Sequence, residues 1–228
     1  MKYSAHWTTP LFLWLMNCHR RPYDISYRGR LIRVFPEVLS PKYDWSGKFG
    51  VECLPPLQNK TFLEIGSGCG IVSLFAALNG AAMVASVDIS PIAARNTKFN
   101  FDRYGLLNAL VIQGNLFDAI SGRFDLIFFN APFHGNAARD WLETAVYDEN
   151  YVSLRKFISN AGQFLVADGR VLLGFSRSGD EELLLDELRR ANFEIEKVQE
   201  DTRRGYSCEY YTLKLARFMS DSAELCTS

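Results

Sequence analysis

Three glycines at alternate positions follow a short apolar run, and they constrain the fold of this chain more than any other feature. The run Thr61–Ile65 has the pattern of a buried strand, Gly66, Gly68 and Gly70 follow it, and Ile71–Asn79 has the pattern of a helix. Glycine has no Cβ, so the backbone can turn tightly and a ligand can approach it closely. The N–H groups that begin the helix are free donors. The segment predicts a strand, loop and helix that bind a nucleotide-like or carboxylate-bearing ligand.

After Lys60 the chain alternates short β-rich runs with helical stretches, which favours a mostly parallel sheet with helices on both faces. The predicted strands are Thr61–Ile65, Met83–Val87, Ala109–Ile112, Phe124–Phe129 and Arg170–Phe175. The predicted helices are Ile71–Asn79, Pro91–Tyr104, Glu149–Gly162 and Asp180–Ala191. Glu194–Gln199 and Glu209–Ala216 flank the turn-like Arg203-Arg204-Gly205 and predict a closing antiparallel hairpin. The fold class is therefore α/β, a doubly wound sheet of seven strands.

Residues 1–55 form a lead-in before this unit, and Pro55-Pro56 marks the junction. Within it, Trp7–Met16 predicts a packed helix, and Ile25–Val34 predicts a β-hairpin around Tyr27-Arg28-Gly29-Arg30. Two interpretations are open, namely a lid or dimer contact and ordinary core packing. We expect the main domain to span residues 56–218 and residues 219–228 to be a disordered tail.

Length and charge limit the classes of function. A chain of 228 residues can bury one full-sized core. A net charge of −1 gives no overall positive field, which disfavours a nucleic-acid substrate and an anionic membrane surface. A local basic cluster is expected to be a solvated hairpin face, and it consists of Arg20, Arg21, Arg28, Arg30 and Arg33.

The cysteines and the apolar runs predict a reduced, cytoplasmic protein. The five cysteines are an odd set with no CxxC pair and no Cys/His cluster at zinc spacing, so we expect no metal site. The apolar run Leu11–Met16 is too short to span a bilayer, and no small-residue cleavage pattern follows it. We therefore expect neither a signal peptide nor a membrane anchor.

Two further motifs come directly after predicted strands. Asp88 ends the second strand, where its carboxylate can accept both hydrogen bonds of a ribose diol; alternatively, it caps the helix that begins at Pro91. Asn130-Ala131-Pro132-Phe133 follows the apolar strand Phe124–Phe129. The carboxyl ends of strands in open α/β sheets face the ligand crevice, so this tetrapeptide is expected beside the glycine loop, although a simple strand-ending turn is the alternative.

The run Glu64-Ile65-Gly66-Ser67-Gly68-Cys69-Gly70, together with Asp88 and Asn130-Ala131-Pro132-Phe133, resembles the Rossmann-like class I S-adenosylmethionine-dependent methyltransferases. The resemblance is to the amino-methylating group with an (Asn/Asp)-Pro-Pro-(Phe/Tyr) signature, which includes release-factor glutamine methyltransferases and small-domain ribosomal RNA guanine methyltransferases. It runs from about Lys60 to Phe175, roughly half of the chain. Ala131 stands where the family has its first proline.

The resemblance implies S-adenosyl-L-methionine as the cofactor. The glycine loop would line its methionine portion, and Glu64 would hold the loop or the cofactor's amino group. Asp88 would bind the ribose hydroxyls, Ile89 would pack on the adenine, and Asn115 with the Leu116 backbone would meet the adenine amine. The predicted cofactor-binding residues are Glu64, Gly66, Ser67, Gly68, Cys69, Gly70, Asp88, Ile89, Asn115, Leu116 and Asn130.

The predicted catalytic residues are Asn130, Ala131, Pro132 and Phe133, and they indicate a nitrogen acceptor. An amide or aromatic amine is a poor nucleophile because its lone pair is delocalised. The Asn130 side-chain oxygen and the Ala131 carbonyl can hold its two N–H bonds and leave the lone pair directed at the methyl group. Phe133 would stack on the planar group.

The segment from His134 to Tyr151 is expected to cover the acceptor pocket. His134 is either a general base for a hydroxyl acceptor or a non-catalytic loop residue. Tyr147 is a candidate substrate contact, and Tyr43 and Trp45 are candidate lid residues.

The leading hypothesis is N-methylation of a small molecule or a protein side chain by a monomer or homodimer. The alternatives are an O-methyltransferase of a natural product, an RNA or DNA base N-methyltransferase, and a non-catalytic cofactor-binding subunit. A nicotinamide-dependent reductase would need glycine at position 71, where the chain has Ile71.

Overall fold

The computed structural model describes residues 8–203 and 206–216 of the chain. The predicted tail at 219–228 and part of the predicted turn at 203–205 lie outside these residues. The helices are α1 (Thr8–Asn17), α2 (Ser46–Cys53), α3 (Ile71–Leu78), α4 (Pro91–Arg103), α5 (Val152–Ala161) and α6 (Glu181–Arg190). The strands are β1 (Tyr23–Tyr27), β2 (Arg30–Val34), β3 (Thr61–Ile65), β4 (Met83–Asp88), β5 (Ala109–Gln113), β6 (Phe124–Asn130), β7 (Leu165–Phe175), β8 (Phe193–Arg203) and β9 (Tyr206–Leu215).

The main sheet has seven strands in the order β5-β4-β3-β6-β7-β9-β8. The first five strands pair in parallel, and β9 pairs antiparallel with both β7 and β8. Strand β3 lies at the point where the strand order reverses, because its neighbours are β4 and β6. Open α/β sheets bind ligands at such a switch point. The predicted fold class, a doubly wound α/β sheet with a terminal antiparallel hairpin, is confirmed.

Two hydrophobic cores lie on opposite faces of this sheet, because successive strand residues point to opposite sides. In β6, Leu126 and Phe128 belong to one core and Ile127 and Phe129 to the other. The first core includes residues of α2, α3, α4 and the β1–β2 hairpin, and the second includes residues of α5 and α6. Helices therefore cover both faces, as the alternating sequence predicted.

The N-terminal hairpin is tied to the sheet domain by two buried asparagines one turn apart on α4. The Arg33 N–H donates to Asn100 Oδ1 at 2.9 Å, and the Phe35 N–H donates to Asn96 Oδ1 at 2.7 Å. Asn100 Nδ2 also donates to the Cys69 carbonyl at 2.8 Å, so one side chain joins the hairpin to the glycine loop. A lid or dimer role for residues 1–55 stays a prediction.

The predicted elements differ from the structure in several places, and one of them is β8, which ends at Arg203 rather than at Gln199. The predicted helix Glu149–Gly162 begins at Val152, because Asn150 and Tyr151 have left-handed φ values of 54° and 56° that interrupt it. Strand β7 begins at Leu165 rather than at Arg170, with an irregular register opposite β6. Helix α2 falls in the lead-in, where no helix was predicted beyond Met16. Among the described residues, no helix is both long and apolar enough to span a bilayer.

Candidate active site

A cleft of about 320 Å³ opens where β3, β4 and β6 end. The glycine loop, the end of β4 and the loop after β5 line one part of it. Asn130 and Pro132 line it after β6, and segments around residues 37–39 and 138–149 cover it. All three sequence motifs therefore contribute residues to the same cleft.

The glycine loop turns directly over the end of β4. The N–H groups of Gly66 and Ser67 donate to the Val87 carbonyl at 2.8 and 3.1 Å. Gly68 has a φ of 57°, and a Cβ built on it would meet no atom within 4 Å, so this position borders open space in the cleft. Gly70 has a φ of 76°, and a Cβ there would lie 2.8 Å from Thr97 Cγ2. Gly68 therefore leaves room for a ligand, whereas Gly70 leaves room for α4.

Asp88 lines the cleft, and both of its carboxylate oxygens are hydrogen-bonded. Oδ2 accepts from the Gly68 N–H at 2.8 Å, and Oδ1 accepts from the Ser90 N–H at 2.9 Å. Burial raises the pKa of this carboxyl above its ordinary value, and the two backbone hydrogen bonds offset only part of that rise. Ser90, not Asp88, caps α4 by accepting from the Ala93 N–H. The bonds orient the carboxylate, and each oxygen retains a lone pair that could accept from a diol.

Glu64 is hydrogen-bonded to the first turn of α3, the helix that follows the glycine loop, and it does not line the cleft. Its side chain is 2% exposed and accepts hydrogen bonds from the Ser73 N–H at 2.9 Å and from the Ser73 hydroxyl, in the first turn of α3. The Ser86 hydroxyl donates to Ser73 Oγ at 2.6 Å. Burial raises the pKa of Glu64 to about 8. Of its two predicted roles, the geometry of the chain favours holding the loop.

Glutamine at position 64 is expected to change how stability depends on pH. The Glu64 pKa rises from 4.5 to about 8 on folding, so between these values the folded protein keeps a proton that the unfolded chain has released. The free energy of unfolding therefore falls as pH rises through this window and levels above it. Urea unfolding measures this free energy at about pH 5 and at about pH 9. The decrease between the two pH values should be smaller for Glu64→Gln than for the wild type, by roughly 1.4 kcal/mol for each unit by which the Glu64 pKa is raised. Equal falls in the two proteins would contradict this assignment.

Two other predicted residues of the loop are buried beside it. Ser67 Oγ lies 3.0 Å from Thr97 Oγ1, and Cys69 belongs to the first core. Neither residue lines the cleft, so their backbone atoms are what the loop can offer a ligand.

The cleft also has the surface that the resemblance assigns to adenine. Ile89 is 46% exposed and lines the cleft together with Asn115 and Leu116. The Gly114 N–H donates to the Asp88 carbonyl at 3.0 Å, which holds this loop against the end of β4. Leu116 has a φ of 52°, so the chain turns at this lining residue.

Asn130 ends β6, and its side-chain amide is held by a residue that the sequence analysis did not select. Asn130 Nδ2 donates to Ser46 Oγ at 2.8 Å, at the start of α2. The next residue, Ala131, is buried, and its N–H donates to the Gly174 carbonyl at 3.0 Å. Asn130 and Pro132 line the cleft, whereas the predicted catalytic residue Ala131 does not.

Phe133 and His134 do not line this cleft. Phe133 packs against the second core, and its carbonyl accepts from the Tyr151 hydroxyl at 3.2 Å. His134 is 4% exposed, and its ring lies between those of Phe133 and Tyr147, at centroid distances of 4.4 and 5.7 Å. Tyr147 does line the cleft. This placement favours the non-catalytic interpretation of His134 and gives no support to stacking of Phe133 on an acceptor.

Tyr43 and Trp45 also lie outside the cleft lining. The Tyr43 hydroxyl lies 2.5 Å from His19 Nε2, and the Trp45 ring packs against Phe49 and under the Arg203 guanidinium at 4.9 Å. Both residues lie just before the start of α2, and neither belongs to the segment from His134 to Tyr151.

The cover of the cleft comes from two segments that are distant in sequence. Residues 37–39, which follow the hairpin, line the cleft on this side. Trp141, Thr144 and Tyr147 also line it, and they belong to the segment from His134 to Tyr151 that was expected to cover the acceptor pocket. Leu13 and Met16 of α1 pack behind both, in one cluster with Leu142 and Val146. The contribution of residues 37–39 was missed because they carry no motif and reach the cleft only through tertiary packing.

The charge of the cleft is acidic. Four carboxyl side chains line it among the described residues, and no lysine or arginine does. They are Glu37, Asp88, Asp148 and Glu149. Asp148 also caps α5, accepting from the Ser153 and Leu154 N–H groups at 2.9 Å each. Such a lining attracts cations and repels phosphates.

Comparison with known proteins gives matches over most of the chain. The family model described as methyltransferase small domain matches residues 35–202. A proposed protein N5-glutamine methyltransferase of Methanocaldococcus jannaschii is 28% identical over 179 residues, which are 75% of this chain and 89% of the relative. A ribosomal protein L11 methyltransferase of Pelotomaculum thermopropionicum is 39% identical over 71 residues, which are 31% of this chain and only 23% of that relative.

A solved structure has the same fold at low sequence identity. The 16S rRNA N2 G1207 methyltransferase of T. thermophilus, in complex with AdoMet and guanosine, superposes with a TM-score of 0.61 at 22% identity. The match covers 84% of this chain and 50% of that chain. At this identity the likeness concerns the fold alone.

Proposed function

The chain belongs to the methyltransferase small domain family and is an S-adenosylmethionine-dependent methyltransferase, and from this premise we propose that it methylates a side-chain nitrogen of a protein, with the glutamine amide as the first candidate. One observation carries the proposal. Asn130 and Pro132 line the same cleft as Gly68 and Asp88, so the amide that we propose to hold the acceptor shares one cavity with residues proposed to bind the cofactor.

The cleft residues that follow β3 and end β4 fit the cofactor. Gly68 leaves open space, and Asp88 presents an oriented carboxylate for the ribose diol. When bound, S-adenosylmethionine supplies a methyl group on a sulfonium, which is a good leaving group. The protein then has mainly to align the acceptor nitrogen.

The residues after β6 are suited to hold an amide or amine nitrogen. Asn130 lines the cleft, and its side-chain oxygen would accept one N–H bond of a primary amide. The resemblance assigns the second N–H bond to the carbonyl of Ala131, which is buried outside the cleft lining. Accepting these bonds favours the lone pair pointing away from the protein, toward the methyl group. Alanine at 131 keeps the carbonyl that this role needs. The N–CH₃ bond would form as the S–CH₃ bond breaks, which leaves S-adenosylhomocysteine, and the methylated nitrogen would then lose one proton to solvent. No base is required before attack by a neutral nitrogen, which agrees with the buried position of His134.

The charge of the cleft favours a protein acceptor over a nucleic acid. Its described lining carries four carboxyl groups and no lysine or arginine, and the whole chain has a net charge of −1. Nucleic-acid binding depends on neutralising phosphates with basic side chains. The M. jannaschii relative is named for protein glutamine methylation, which supports the same acceptor class.

Asparagine in place of Asp88 is expected to weaken S-adenosylmethionine binding about 5- to 150-fold, or roughly 1–3 kcal/mol. The diol loses a charged acceptor, and the amide introduced at position 88 cannot accept from both the Gly68 and Ser90 N–H groups with separate oxygens, because it has only one. Isothermal calorimetry gives the affinity, and thermal unfolding checks that the variant is folded. A folded variant with unchanged affinity would remove Asp88 from the cofactor site.

Labelled methyl transfer into separated cell fractions tests the proposed acceptor class. Protein, RNA and small-molecule fractions from cells that lack this enzyme are each incubated with the enzyme and methyl-labelled cofactor, and Asn130→Ala is the blank. We expect label in the protein fraction that is protease-sensitive and nuclease-resistant. Enzymatic digestion should then yield methylated glutamine. Label that nuclease releases, or label confined to small molecules, would overturn the proposal.

A further inference from the structure

The two ends of the Asn130 side-chain amide differ in chemistry although they have nearly the same shape. The oxygen end accepts hydrogen bonds, and the NH₂ end only donates them. An acceptor nitrogen that presents N–H bonds can be held by the oxygen end alone. Some neighbouring group must therefore fix which end faces the cleft.

A hydrogen-bonded chain from Asp44 reaches the NH₂ end of this amide. The Ser46 hydroxyl donates to Asp44 Oδ2 at 2.7 Å, and the Ser46 N–H donates to Asp44 Oδ1 at 2.9 Å. An ionised carboxylate can only accept, so the hydroxyl proton of Ser46 is committed to Asp44. Ser46 Oγ then presents a lone pair to Asn130, and Asn130 Nδ2 donates to it at 2.8 Å. When Asp44 is ionised, its charge thus sets the direction of both bonds.

Packing on the other side is consistent with the same orientation. Gly174 of β7 pairs with Asn130, and a Cβ built on Gly174 would lie 2.6 Å from Asn130 Oδ1. The glycine leaves space for that oxygen. The start of α2 is also anchored, because the fully buried Tyr210 donates from its hydroxyl to the Ser46 carbonyl at 3.1 Å.

From these contacts we propose that Ser46 and Asp44 are positioning residues, which act through Asn130 by holding its NH₂ end so that its oxygen is available to the acceptor nitrogen. The proposal rests on the nitrogen acceptor of the proposed function. Neither residue lines the cleft, so neither touches the cofactor or the substrate in this role.

Three variants test this role with saturating acceptor and cofactor. Ser46→Ala leaves the Asn130 amide free to turn, and its kcat should fall roughly 10- to 100-fold, the scale of a small misplacement at a reacting centre. Its Kd for S-adenosylhomocysteine should stay within about twofold of the wild-type value, an effect below 0.5 kcal/mol. Ser46→Thr keeps the hydroxyl and should restore most of the activity. The kcat of Asp44→Asn should lie between those of Ser46→Ala and Ser46→Thr, because the amide at position 44 can either donate a hydrogen bond to Ser46 or accept one from it.

A matched control removes a hydroxyl that has no contact with Asn130. Ser178→Ala removes a hydroxyl that lies 2.7 Å from the Ser176 hydroxyl near the end of β7, and it should keep the wild-type kcat.

The assays are run at about pH 8. Burial raises the pKa of the Asp44 carboxyl, and a larger fraction of this carboxyl is ionised at pH 8 than at a lower pH.

The double variant separates this inference from the function on which it rests. In an Asn130→Ala background, Ser46→Ala should cost no further activity, because its partner is gone. If Ser46→Ala has the wild-type kcat while Asn130→Ala has a strongly reduced kcat, the positioning role is overturned and the proposed function is left intact. A Ser46→Ala effect that persists in the double variant, or that appears equally in the cofactor Kd, would also overturn it. A nearly normal Asn130→Ala would instead overturn the proposed function.

Discussion

Alanine in place of Asn130 is expected to lower turnover by roughly 10²–10³-fold, the scale reported for loss of one preorganised polar group. The side chain lines the cleft after β6, and its oxygen is the acceptor that would hold a substrate N–H bond. Cofactor affinity should change far less, because Gly68 and Asp88 remain. Single-turnover rates with saturating cofactor, combined with calorimetry for the cofactor, separate the two effects.

His134→Ala is the control that discriminates a nitrogen acceptor from a hydroxyl acceptor. A neutral nitrogen needs no base before attack, and His134 is 4% exposed outside the cleft, so this variant should be mild. A hydroxyl acceptor must lose its proton, and removing its base would cost about 10²–10⁴-fold and flatten the pH dependence near neutrality. A large loss of turnover in His134→Ala, together with nearly wild-type turnover in Asn130→Ala, would contradict the nitrogen assignment.

Valine in place of Gly68 is expected to weaken cofactor binding at least about 100-fold, equivalent to roughly 2.8 kcal/mol. The residue has a φ of 57°, which is strained for a β-branched side chain, and its Cβ would enter the open space of the cleft. Equilibrium binding of S-adenosylhomocysteine measures the loss.

Gly105→Val is the matched control for backbone strain. Gly105 has a φ of 60°, and a Cβ there also meets no atom within 4 Å, but it follows α4 and does not line the cleft. Both variants should lose a similar amount of stability, and only Gly68→Val should lose the cofactor. Comparable cofactor affinity in the two variants would place the ligand elsewhere.

Features set by local periodicity were predictable from the sequence. Strands β3, β4, β5 and β6 are short apolar or β-branched runs, and each was placed within about one residue of its observed bounds. Asp88 and Asn130 were found because both follow such strands. At that point the topology itself brings residues of neighbouring parallel strands together.

Helix α2 was missed because its stability comes from tertiary packing. Its eight residues contain Gly47 and Gly50, which have poor helix propensity. A Cβ built on Gly50 would lie 2.7 Å from Tyr210 Oη and 2.8 Å from Phe128 Cζ, so the glycine lets α2 pack closely against β6 and β9. The hydrogen bond from Asn130 to Ser46 was equally hidden, because it joins residues 84 positions apart.

The position of Phe133 shows the limit of carrying a motif over from a resemblance. The tetrapeptide is at the expected end of β6, but the Phe133 ring packs with the second core beside His134. Its direction depends on the loop at Tyr151, whose hydroxyl binds the Phe133 carbonyl and whose left-handed backbone is not readable from the sequence pattern.

The bond formed in the product tests the central claim most directly. The enzyme is incubated with cofactor carrying a ¹³C-methyl group and with ¹⁵N-labelled protein acceptor, and the product is analysed by NMR and by mass spectrometry after enzymatic digestion. The account predicts a one-bond carbon–nitrogen coupling at the new methyl group, located on a side-chain amide or amine. A new methyl carbon that shows no coupling to ¹⁵N and lies on an oxygen would contradict it.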